Sequence, residues 1–335
     1  MPKVELHVHF IGSMRPATLV KLAQKHGREL PEPGLAAELR WPGFRDFLHF
    51  RDAYTAASGA VRSAEDIELV AREFLEDQAA QGILYSEVTF TAYGNHFIRG
   101  IPISEQLAAL RRAREWAESN LGVTMRVILD IPRERSPEET LVVASWAIDG
   151  MSEGVVGVGL AGDELGGPAE RFIEAFGRAK AAGLARVPHA GEIAGPQSIR
   201  NALRELDATR IDHGVRCLED PELVAELRDR QIPLDVCPTS NVCTGVFASL
   251  ESHALPRMLE VGLNVTIGSD DPPMFNTTLT GEYLAICEAY GWGAAEVERL
   301  VLNGVRASLL PERERSAMET LFETEIGALR REHGV

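Results

Sequence analysis

Cysteine is scarce in this chain, with only four among 335 residues. Cys217, Cys237, Cys243 and Cys287 show no disulfide framework, and no two of them have the short spacing of a zinc clip. Thiols stay reduced in the cytoplasm, where disulfides are rare. We therefore expect a cytoplasmic protein with reduced cysteines.

Long apolar runs and an excess of positive charge are also missing. No stretch approaches the roughly 20 apolar residues of a membrane-spanning helix, and the first residues lack the basic and apolar regions of a signal peptide. Lys and Arg number 34 against 50 Asp and Glu, a formal net charge of -16. Because phosphate contact needs a basic face, this acidity argues against a nucleic-acid binder and against docking on anionic membranes.

Short apolar, β-branched segments alternate with helical segments along the chain. Strands that alternate with helices predict a parallel sheet. Eight of them predict an α/β fold of the (β/α)8 TIM-barrel type, with a doubly wound sheet as the alternative. No repeat or linker is present, so we predict one domain over residues 1–335. The predicted strands span residues 4–10, 84–90, 124–131, 155–160, 184–189, 210–213, 232–237 and 264–269. Helical patterns include residues 64–81, 105–120, 170–182 and 221–230.

The longest gap between predicted strands covers residues 15–82. It contains extra helical pattern around residues 16–26 and 44–57. An insertion after the first strand of a barrel lies over its mouth, because the loops that follow the strands form that face. We expect these helices to form a lid or a substrate wall.

Unusual polar residues collect where predicted strands end, which is where reactive groups sit in such barrels. A single histidine at a strand end is usually structural, but four histidines with an acidic pair are hard to explain by packing. These residues are His7 and His9 after the first strand, His189 and Glu192 after the fifth, His213 after the sixth, and Asp270 and Asp271 after the eighth.

This set predicts a catalytic zinc site, since imidazole nitrogens and one carboxylate suit a borderline divalent ion with one position open for water. The metal lowers the pKa of that water. We expect His213 to accept the proton of the water and to steer the hydroxide. Glu192 is expected to donate a proton to the substrate, and Asp271 to orient it. The predicted ligands are His7, His9, His189 and Asp270, of which Asp270 is also counted as catalytic.

Lysine is scarce, and this bears on a two-metal alternative. Two-metal barrels often bridge their ions with a carbamylated lysine on the fourth strand. The chain has only four lysines, and none falls on the predicted fourth strand. A single metal ion is therefore favoured. The lysines are Lys3, Lys21, Lys25 and Lys180.

Two segments imitate other motifs. GVGLAG, over residues 157–162, matches the dinucleotide pattern, but acidic Asp163 and Glu164 follow where a helix N-terminus would receive phosphate. CPTSNVC lacks the Pro-Cys-x-x-Cys clip of the other zinc deaminase design. We interpret Cys237 as a buried, unreactive thiol.

In this order, HVH, LAGDE, HAGE, DHG and SDDPP resemble the adenosine deaminase family of the amidohydrolase superfamily. The resemblance covers the whole chain and implies a (β/α)8 barrel with one zinc ion that replaces the C6 amino group of a purine by oxygen. It implies zinc on the four predicted ligands. It also implies that Glu192 protonates the purine N1, that His213 works on the zinc-bound water, that Gly162 bonds the base through its backbone, and that Asp271 contacts N7.

One departure from the family pattern concerns substrate choice. Adenosine deaminases usually read HVHLDG, with the aspartate on the ribose 5′-hydroxyl, and adenine deaminases tend to have glutamate there, whereas this chain has Ile11. Losing a bond to a buried hydroxyl costs roughly 1–3 kcal/mol. The GS-x-x-P stretch, CPTSN and SDDPPMF resemble members that act on 6-aminodeoxyfutalosine, a menaquinone precursor with an aryl ketone and a carboxylate at the 5′ position. We expect Phe10 and Ile11 to face that extension and Arg15 to pair with its carboxylate, or instead with the next helix.

The predicted partner is thus a small purine nucleoside, best 6-aminodeoxyfutalosine. Adenosine, deoxyadenosine and adenine are the alternatives. A non-catalytic nucleoside-binding relative would have lost a ligand, the acid or the base, and none is missing. Hydrolysis of an amide or phosphoester is a third possible function. The presence of Glu192 beside His189 argues against it and favours a purine substrate. The sequence leaves open whether the chain forms a homo-oligomer.

Overall fold

Eight parallel strands form the centre of the molecule. The computed structural model describes residues 1–32 and 34–334, and each strand pairs with the next one along the chain. All eight lie where the sequence predicts them. They span Lys3–His9 (β1), Ile83–Phe90 (β2), Thr124–Pro132 (β3), Val155–Ala161 (β4), Ala185–Ala190 (β5), Ile211–His213 (β6), Pro233–Val236 (β7) and Asn264–Ile267 (β8).

The sheet closes where the chain after β8 meets β1. The backbone N–H of His9 donates to the carbonyl of Asp270 at 2.8 Å, and the N–H of Asp270 donates to the carbonyl of His7 at 3.1 Å. A parallel bridge between Val8 and Asp270 accompanies these bonds. The predicted (β/α)8 barrel is confirmed. The doubly wound alternative is wrong, because an open sheet would leave the first and last strands apart.

Helices follow the strands and cover the outside of the barrel. The predicted helix over residues 170–182 is partly wrong, since it starts as a 3₁₀ turn, a common form of helix N-terminus. The α-helices span Pro16–Lys25 (α1), Leu35–Glu38 (α2), Phe47–Ser58 (α3), Ala64–Ala80 (α4), Ala92–Phe97 (α5), Ile103–Asn120 (α6), Pro137–Asp149 (α7), Ile173–Ala181 (α8), Pro196–Glu205 (α9), Pro221–Arg230 (α10), Pro238–Cys243 (α11), Leu255–Glu260 (α12), Leu279–Tyr290 (α13), Ala294–Ala307 (α14) and Glu312–His333 (α15). The 3₁₀ turns span Gly150–Glu153, Ala169–Phe172, Cys217–Glu219 and Leu250–Ser252. No helix among the described residues is long and apolar enough to cross a membrane.

Helix α4 shows how local sequence sets an element and its buried face. Ser63 and Asp66 form a capping box, in which each side chain accepts a hydrogen bond from the backbone of the other. Ile67, Val70 and Phe74 follow at helical spacing and are all buried. The helix therefore starts at a fixed residue and presents one apolar face to the barrel.

The predicted insertion after β1 is present as α1 to α3. Asp46 caps α3, because its side chain accepts from the backbone N–H of His49 at 2.9 Å. On the same helix, the Phe50 ring packs against the Phe275 ring with a centroid distance of 4.9 Å. Phe275 belongs to the loop after β8, so α3 is held directly beside the mouth of the barrel.

A buried ion network joins strands away from the mouth. The Arg210 guanidinium lies 2.6 Å from Glu87 on β2 and 2.5 Å from Asp235 on β7. All three side chains are buried. Such a network holds the strands in register, and losing one member would leave an unpaired buried charge.

Candidate active site

Four buried side chains converge at the mouth of the barrel. His9 Nε2 lies 3.1 Å from His189 Nε2 and 3.2 Å from Asp270 Oδ1. His7 Nε2 lies 3.4 Å from the same carboxylate oxygen. One donor atom of each residue lies within 4.8 Å of the other three donors. The structure therefore brings together the four residues that the sequence assigns as metal ligands.

The donor atoms fit a divalent metal ion. His7 Nε2 is buried and has no hydrogen-bond partner among the described residues. Three imidazole nitrogens and one carboxylate oxygen form a donor set that suits zinc. Because burying an unpaired polar atom costs free energy, a bound ion would supply the partner that His7 Nε2 lacks.

Asp212, which the sequence reasoning missed, lies behind two of these histidines. Its carboxylate oxygens are 3.5 Å from His7 Nδ1 and 3.2 Å from His189 Nδ1. The Asp235 carbonyl also lies 3.2 Å from His7 Nδ1. Acceptors in these positions favour the proton on Nδ1 and leave Nε2 free to bind metal. The signal was present in RIDH, where an acidic residue occupies the middle of a buried strand.

His213 is held by a chain of directional hydrogen bonds. The backbone N–H of Leu255 donates to His253 Nδ1 at 3.0 Å, so the proton of His253 lies on Nε2, 3.1 Å from Asn241 Oδ1. The Asn241 amide nitrogen must then donate to His213 Nδ1, at 3.3 Å. This arrangement fixes the neutral His213 ring with its proton on Nε2.

The charge state and backbone of His213 agree with that assignment. Burial lowers the pKa of His213 to about 3, with the charge of His7 contributing, so the ring is neutral near pH 7. Its Nε2 lies 3.7 Å from Glu192 and 3.7 Å from Asp270. His213 and Asp270 both have left-handed backbones, with φ of 66° and 63°. Strain of this kind clusters at functional sites.

Glu192 is a buried carboxyl group in an acidic neighbourhood. Burial raises its pKa well above the usual range, and the charges of Asp270 and Glu164 raise it further. The shift favours the protonated form, as a proton donor requires.

Glu164, also missed by the sequence reasoning, holds the loop that carries Glu192. It accepts hydrogen bonds from four consecutive backbone N–H groups, those of residues 191–194. The bonds from Ile193 and Ala194 measure 3.0 and 2.9 Å. The LAGDE motif contains this glutamate, but only the folded chain shows that it accepts hydrogen bonds from the loop of the HAGE motif.

A cavity of about 760 Å³ opens above the cluster. Ile11, Gly162 and Asp271 line it, as the sequence predicts for substrate-contacting residues. Gly162 has φ of 109°, and a Cβ there would lie 2.7 Å from the Glu134 carboxylate. Only glycine fits at this position. The wall also includes α3 side chains such as Phe47, Phe50, Arg51, Tyr54 and Ser58.

Residues 2–324 match the family described as Adenosine deaminase. The chain belongs to the adenosine deaminase family.

One related sequence and two solved structures are similar to this chain along most of its length. An aminodeoxyfutalosine deaminase from Streptomyces coelicolor is 40% identical over 312 residues, covering 92% of this chain and 80% of that protein. The crystal structure of an adenine deaminase from Arthrobacter aurescens has a TM-score of 0.91 at 31% identity, covering 97% of this chain and 99% of that one. An amidohydrolase from Burkholderia ambifaria with bound Zn has a TM-score of 0.89 at 25% identity, covering 99% and 92%.

As a member of the adenosine deaminase family, the chain is a hydrolytic deaminase that acts on a cyclic amidine. Its cofactor is zinc, since the histidine and aspartate cluster offers the right donors and a related structure contains Zn. Its substrates are of the adenosine or adenine kind.

Two residues predicted to face the substrate lie elsewhere in this deaminase. Phe10 is buried in the core, where its ring packs against Phe90 at 5.0 Å between centroids. Arg15 does not line the cavity. Its guanidinium contacts Asp77 at 2.7 Å and Glu76 at 3.1 Å. The prediction that Arg15 pairs with a substrate carboxylate is wrong, because acidic side chains of α4 neutralise its charge. The alternative, in which Arg15 pairs with a helix, fits these contacts.

The segments GVGLAG and CPTSNVC, which resemble other motifs, have the structures that the sequence suggests. GVGLAG forms the end of β4, and its loop contains Glu164 instead of opening a helix. Cys237 is buried, and burial raises its thiol pKa well above the usual range. Such a thiol is unreactive.

Proposed function

We propose that this enzyme deaminates a 6-aminopurine nucleoside with an apolar 5′ substituent, best represented by 6-aminodeoxyfutalosine. The observation that carries the proposal is Ile11. This side chain lines the cavity, at the position where the family pattern has a carboxylate for the ribose 5′-hydroxyl. The 40% identical relative named an aminodeoxyfutalosine deaminase supports the proposal.

Four residues that line the cavity have a part in this reaction. Glu192, protonated at rest, donates to the purine N1, which makes C6 electrophilic. His213 directs its Nε2 proton toward the attacking oxygen and positions it. Asp271 contacts N7, and the backbone of Gly162 bonds the base. The proton that the water releases on attack at C6 restores the Glu192 carboxyl group. The remaining hydroxyl proton passes to the amino group, which leaves as ammonia, and the ring regains aromaticity as the C6 oxygen becomes a carbonyl.

Zinc, when held by the four ligands, polarises the attacking water and lowers its pKa. The chain supplies the positioning. Ser240 Oγ donates to Asp270 Oδ2 at 2.7 Å, which fixes the carboxylate beside the histidines. Asp271 is buried, and its Oδ1 has no hydrogen-bond partner among the described residues, so it is free to meet the base.

The Ile11 side chain decides between extended and simple nucleosides. It cannot accept a hydrogen bond, so the 5′-hydroxyl of adenosine would lose its partner there, at a cost of roughly 1–3 kcal/mol. An aryl substituent instead gains contact with Ile11 and with the aromatic side chains of α3. A cavity of about 760 Å³ has room for such an extension.

Deamination of free adenine is the second candidate. The similar structure from Arthrobacter aurescens is named an adenine deaminase. A free base, however, would leave Ile11 and the α3 wall without contact. The apolar wall therefore favours a nucleoside with a 5′ extension.

A substrate panel tests the proposal. The near-ultraviolet change from 6-aminopurine to 6-oxopurine gives kcat/KM for 6-aminodeoxyfutalosine, adenosine and adenine. We expect 6-aminodeoxyfutalosine to lead by about tenfold or more, which corresponds to about 1.4 kcal/mol. If adenosine or adenine leads by that margin, the substrate proposal is wrong.

The variant Ile11→Asp sharpens this test, because it restores an acceptor for the 5′-hydroxyl. We expect its kcat/KM to rise for adenosine and to fall for 6-aminodeoxyfutalosine. Ile11→Val, which keeps an apolar side chain, is the matched control and should retain the wild-type order.

We further propose a cytoplasmic location. The four cysteines are free thiols, which fits a reducing compartment.

A further inference from the structure

Arg99 lies on the outer wall of the active-site cavity, two residues after α5 ends. Its guanidinium donates to Asn95 Oδ1 at 2.7 Å and to Ser58 Oγ at 2.7 Å. Both partners are neutral. The side chain thus bridges α5 and α3 while it faces the same cavity as the metal ligands.

Among the residues that the structure describes, no neighbour compensates the charge of Arg99. No carboxylate of residues 1–32 or 34–334 lies within 4.0 Å of its guanidinium, although the chain carries a net charge of -16. Arg62 and Arg28 instead add positive charge nearby. Burial, followed by these two arginines, lowers the pKa of Arg99 to about 10, so it stays charged near neutral pH. A partly buried cation of this kind is costly without a counter-charge.

Other arginines of the cavity wall differ in this respect. Arg51 pairs with Asp52 at 3.2 Å. Arg135 lies over the Tyr93 ring, 4.7 Å from its centroid, and Tyr93 in turn donates to Glu139. Arg15, outside the cavity, is occupied by α4. Arg99 is the wall arginine whose charge has no acidic or aromatic partner among the described residues.

We propose that Arg99 is a specificity residue that binds an anionic group, a carboxylate, at the far end of the substrate's 5′ extension. This inference rests on the proposed function, because only an extended nucleoside has such a group. A planar guanidinium can bind a carboxylate through two parallel hydrogen bonds.

The surroundings of Arg99 fit the rest of that extension. Ile98, beside it, is 69% exposed and lines the same cavity. Phe47 and Tyr93 also line it. These side chains offer apolar contact to an aryl group, so that its carboxylate would end at the guanidinium while the purine reaches the metal ligands.

A structural role as a tie between α3 and α5 would leave charge selectivity unchanged. The test therefore compares 6-aminodeoxyfutalosine with its methyl ester, which removes the charge at the far end and adds one methyl group, and it compares the ratio between variants so that the effect of the methyl group cancels. Wild type is expected to prefer the acid, mainly through KM, because the interaction forms on binding. Arg99→Gln keeps N–H donors for Ser58 and Asn95 but removes the charge. Since hydrogen bonds to charged groups contribute about 1.5–3 kcal/mol, the acid-to-ester ratio of kcat/KM should fall about 10- to 100-fold.

Two further variants keep the test decisive. Arg99→Lys keeps the charge without the planar fork, and its ratio should lie between those of wild type and Arg99→Gln. If Arg99→Gln does not fold, as judged by circular dichroism and thermal melting, Arg99→Lys serves instead and must lower the ratio. Arg15→Gln, which removes an arginine outside the cavity, should keep the wild-type ratio.

The possible failures are distinguishable. If wild type prefers the acid and Arg99→Gln keeps that preference, the role of Arg99 is wrong and the proposed function stands. An equal fall in Arg15→Gln also overturns the inference, because it would show a diffuse charge effect. If wild type prefers adenosine to the acid, the proposed function fails, and the anion site fails with it.

Discussion

The side-chain nitrogen of Asn241 donates to Nδ1 of His213 at 3.3 Å, and this bond decides which ring nitrogen carries the proton. The sequence suggests that His213 accepts a proton from water. The hydrogen-bond chain from Leu255 through His253 and Asn241 instead leaves Nε2 protonated. His213 is therefore arranged to donate and to steer the attacking oxygen.

Replacing Asn241 should change that arrangement. In Asn241→Asp, the carboxylate only accepts, so the proton of His213 should move to Nδ1 and Nε2 should lose its donor. We expect kcat to fall about 100- to 1000-fold, as for the loss of one well-placed donor. Nitrogen-15 NMR of His213 reports the tautomer directly. A wild-type spectrum with the proton on Nδ1 would contradict the prediction. Asn276→Asp changes an asparagine outside this hydrogen-bond chain and serves as the control, which should keep the wild-type tautomer.

Removing the acceptor that holds the Glu192 loop should slow catalysis. Glu164→Gln replaces one of the two oxygens that accept from the four N–H groups by an amide NH2, which cannot accept. A buried N–H group left unpaired costs about 1–3 kcal/mol. We expect both a lower kcat and a lower melting temperature, with bound zinc retained. Zinc content by atomic emission and thermal melting check this. Glu174→Gln, at an exposed glutamate of α8, is the matched control. Normal kcat in Glu164→Gln would show that the loop does not need this support.

Loss of the carboxylate behind two ligands should weaken metal binding. Asp212→Ala removes the group beside His7 Nδ1 and His189 Nδ1. A change of this type typically lowers metal affinity about 10- to 100-fold. Competition with a chelator measures it, and Asp212→Asn should lose less because one oxygen remains. Unchanged affinity in Asp212→Ala would mean that the histidines do not need this carboxylate, with the Asp235 carbonyl still 3.2 Å from His7 Nδ1.

Glu192→Gln tests the proton donor. The amide keeps the shape but cannot transfer a proton, so kcat should fall about 10²- to 10⁴-fold while zinc stays bound. Activity of wild type should decline as pH rises through the raised pKa of Glu192, because the donor form is lost. Deamination rates across pH, with metal content as a control, check both points. A near-normal rate in Glu192→Gln would refute the role.

Glu282 should make stability depend on pH. Burial raises its pKa to about 7 in the folded protein, against 4.5 in the unfolded chain. Between these values the folded state binds more protons, so the free energy of unfolding falls as pH rises from about 4.5 to about 7. The stabilisation lost is up to about 3 kcal/mol.

Glu282→Gln isolates this contribution. Thr239 donates its backbone N–H to Glu282 at 3.0 Å, and Thr277 donates its hydroxyl at 2.7 Å. A glutamine retains both contacts if the Thr277 hydroxyl rotates to accept. Urea unfolding at pH 5 and pH 8 should show a smaller difference than in wild type. Glu288→Gln, at an exposed residue of the same helix, should not reduce that difference.

The sequence by itself determined the barrel and the position of the metal cluster. Apolar segments at regular spacing define strands, and parallel strands must place their carboxyl ends on one face. His7, His189 and Asp270 therefore meet although they lie far apart along the chain. Because side chains alternate along a strand, the local sequence also determines which of them point to the same face.

Only the tertiary structure decided which partners the polar side chains meet. Arg15 was expected near the substrate, but Asp77, 62 residues later, neutralises it. Arg99 has no signature in the sequence, since what distinguishes it is that no carboxylate in the described part of the chain lies near its guanidinium. Glu164 and Asp212 act through backbone and ring nitrogens of other strands and loops. Charge pairing and hydrogen-bond direction depend on distances of a few ångströms between segments remote in sequence, and packing alone sets these distances.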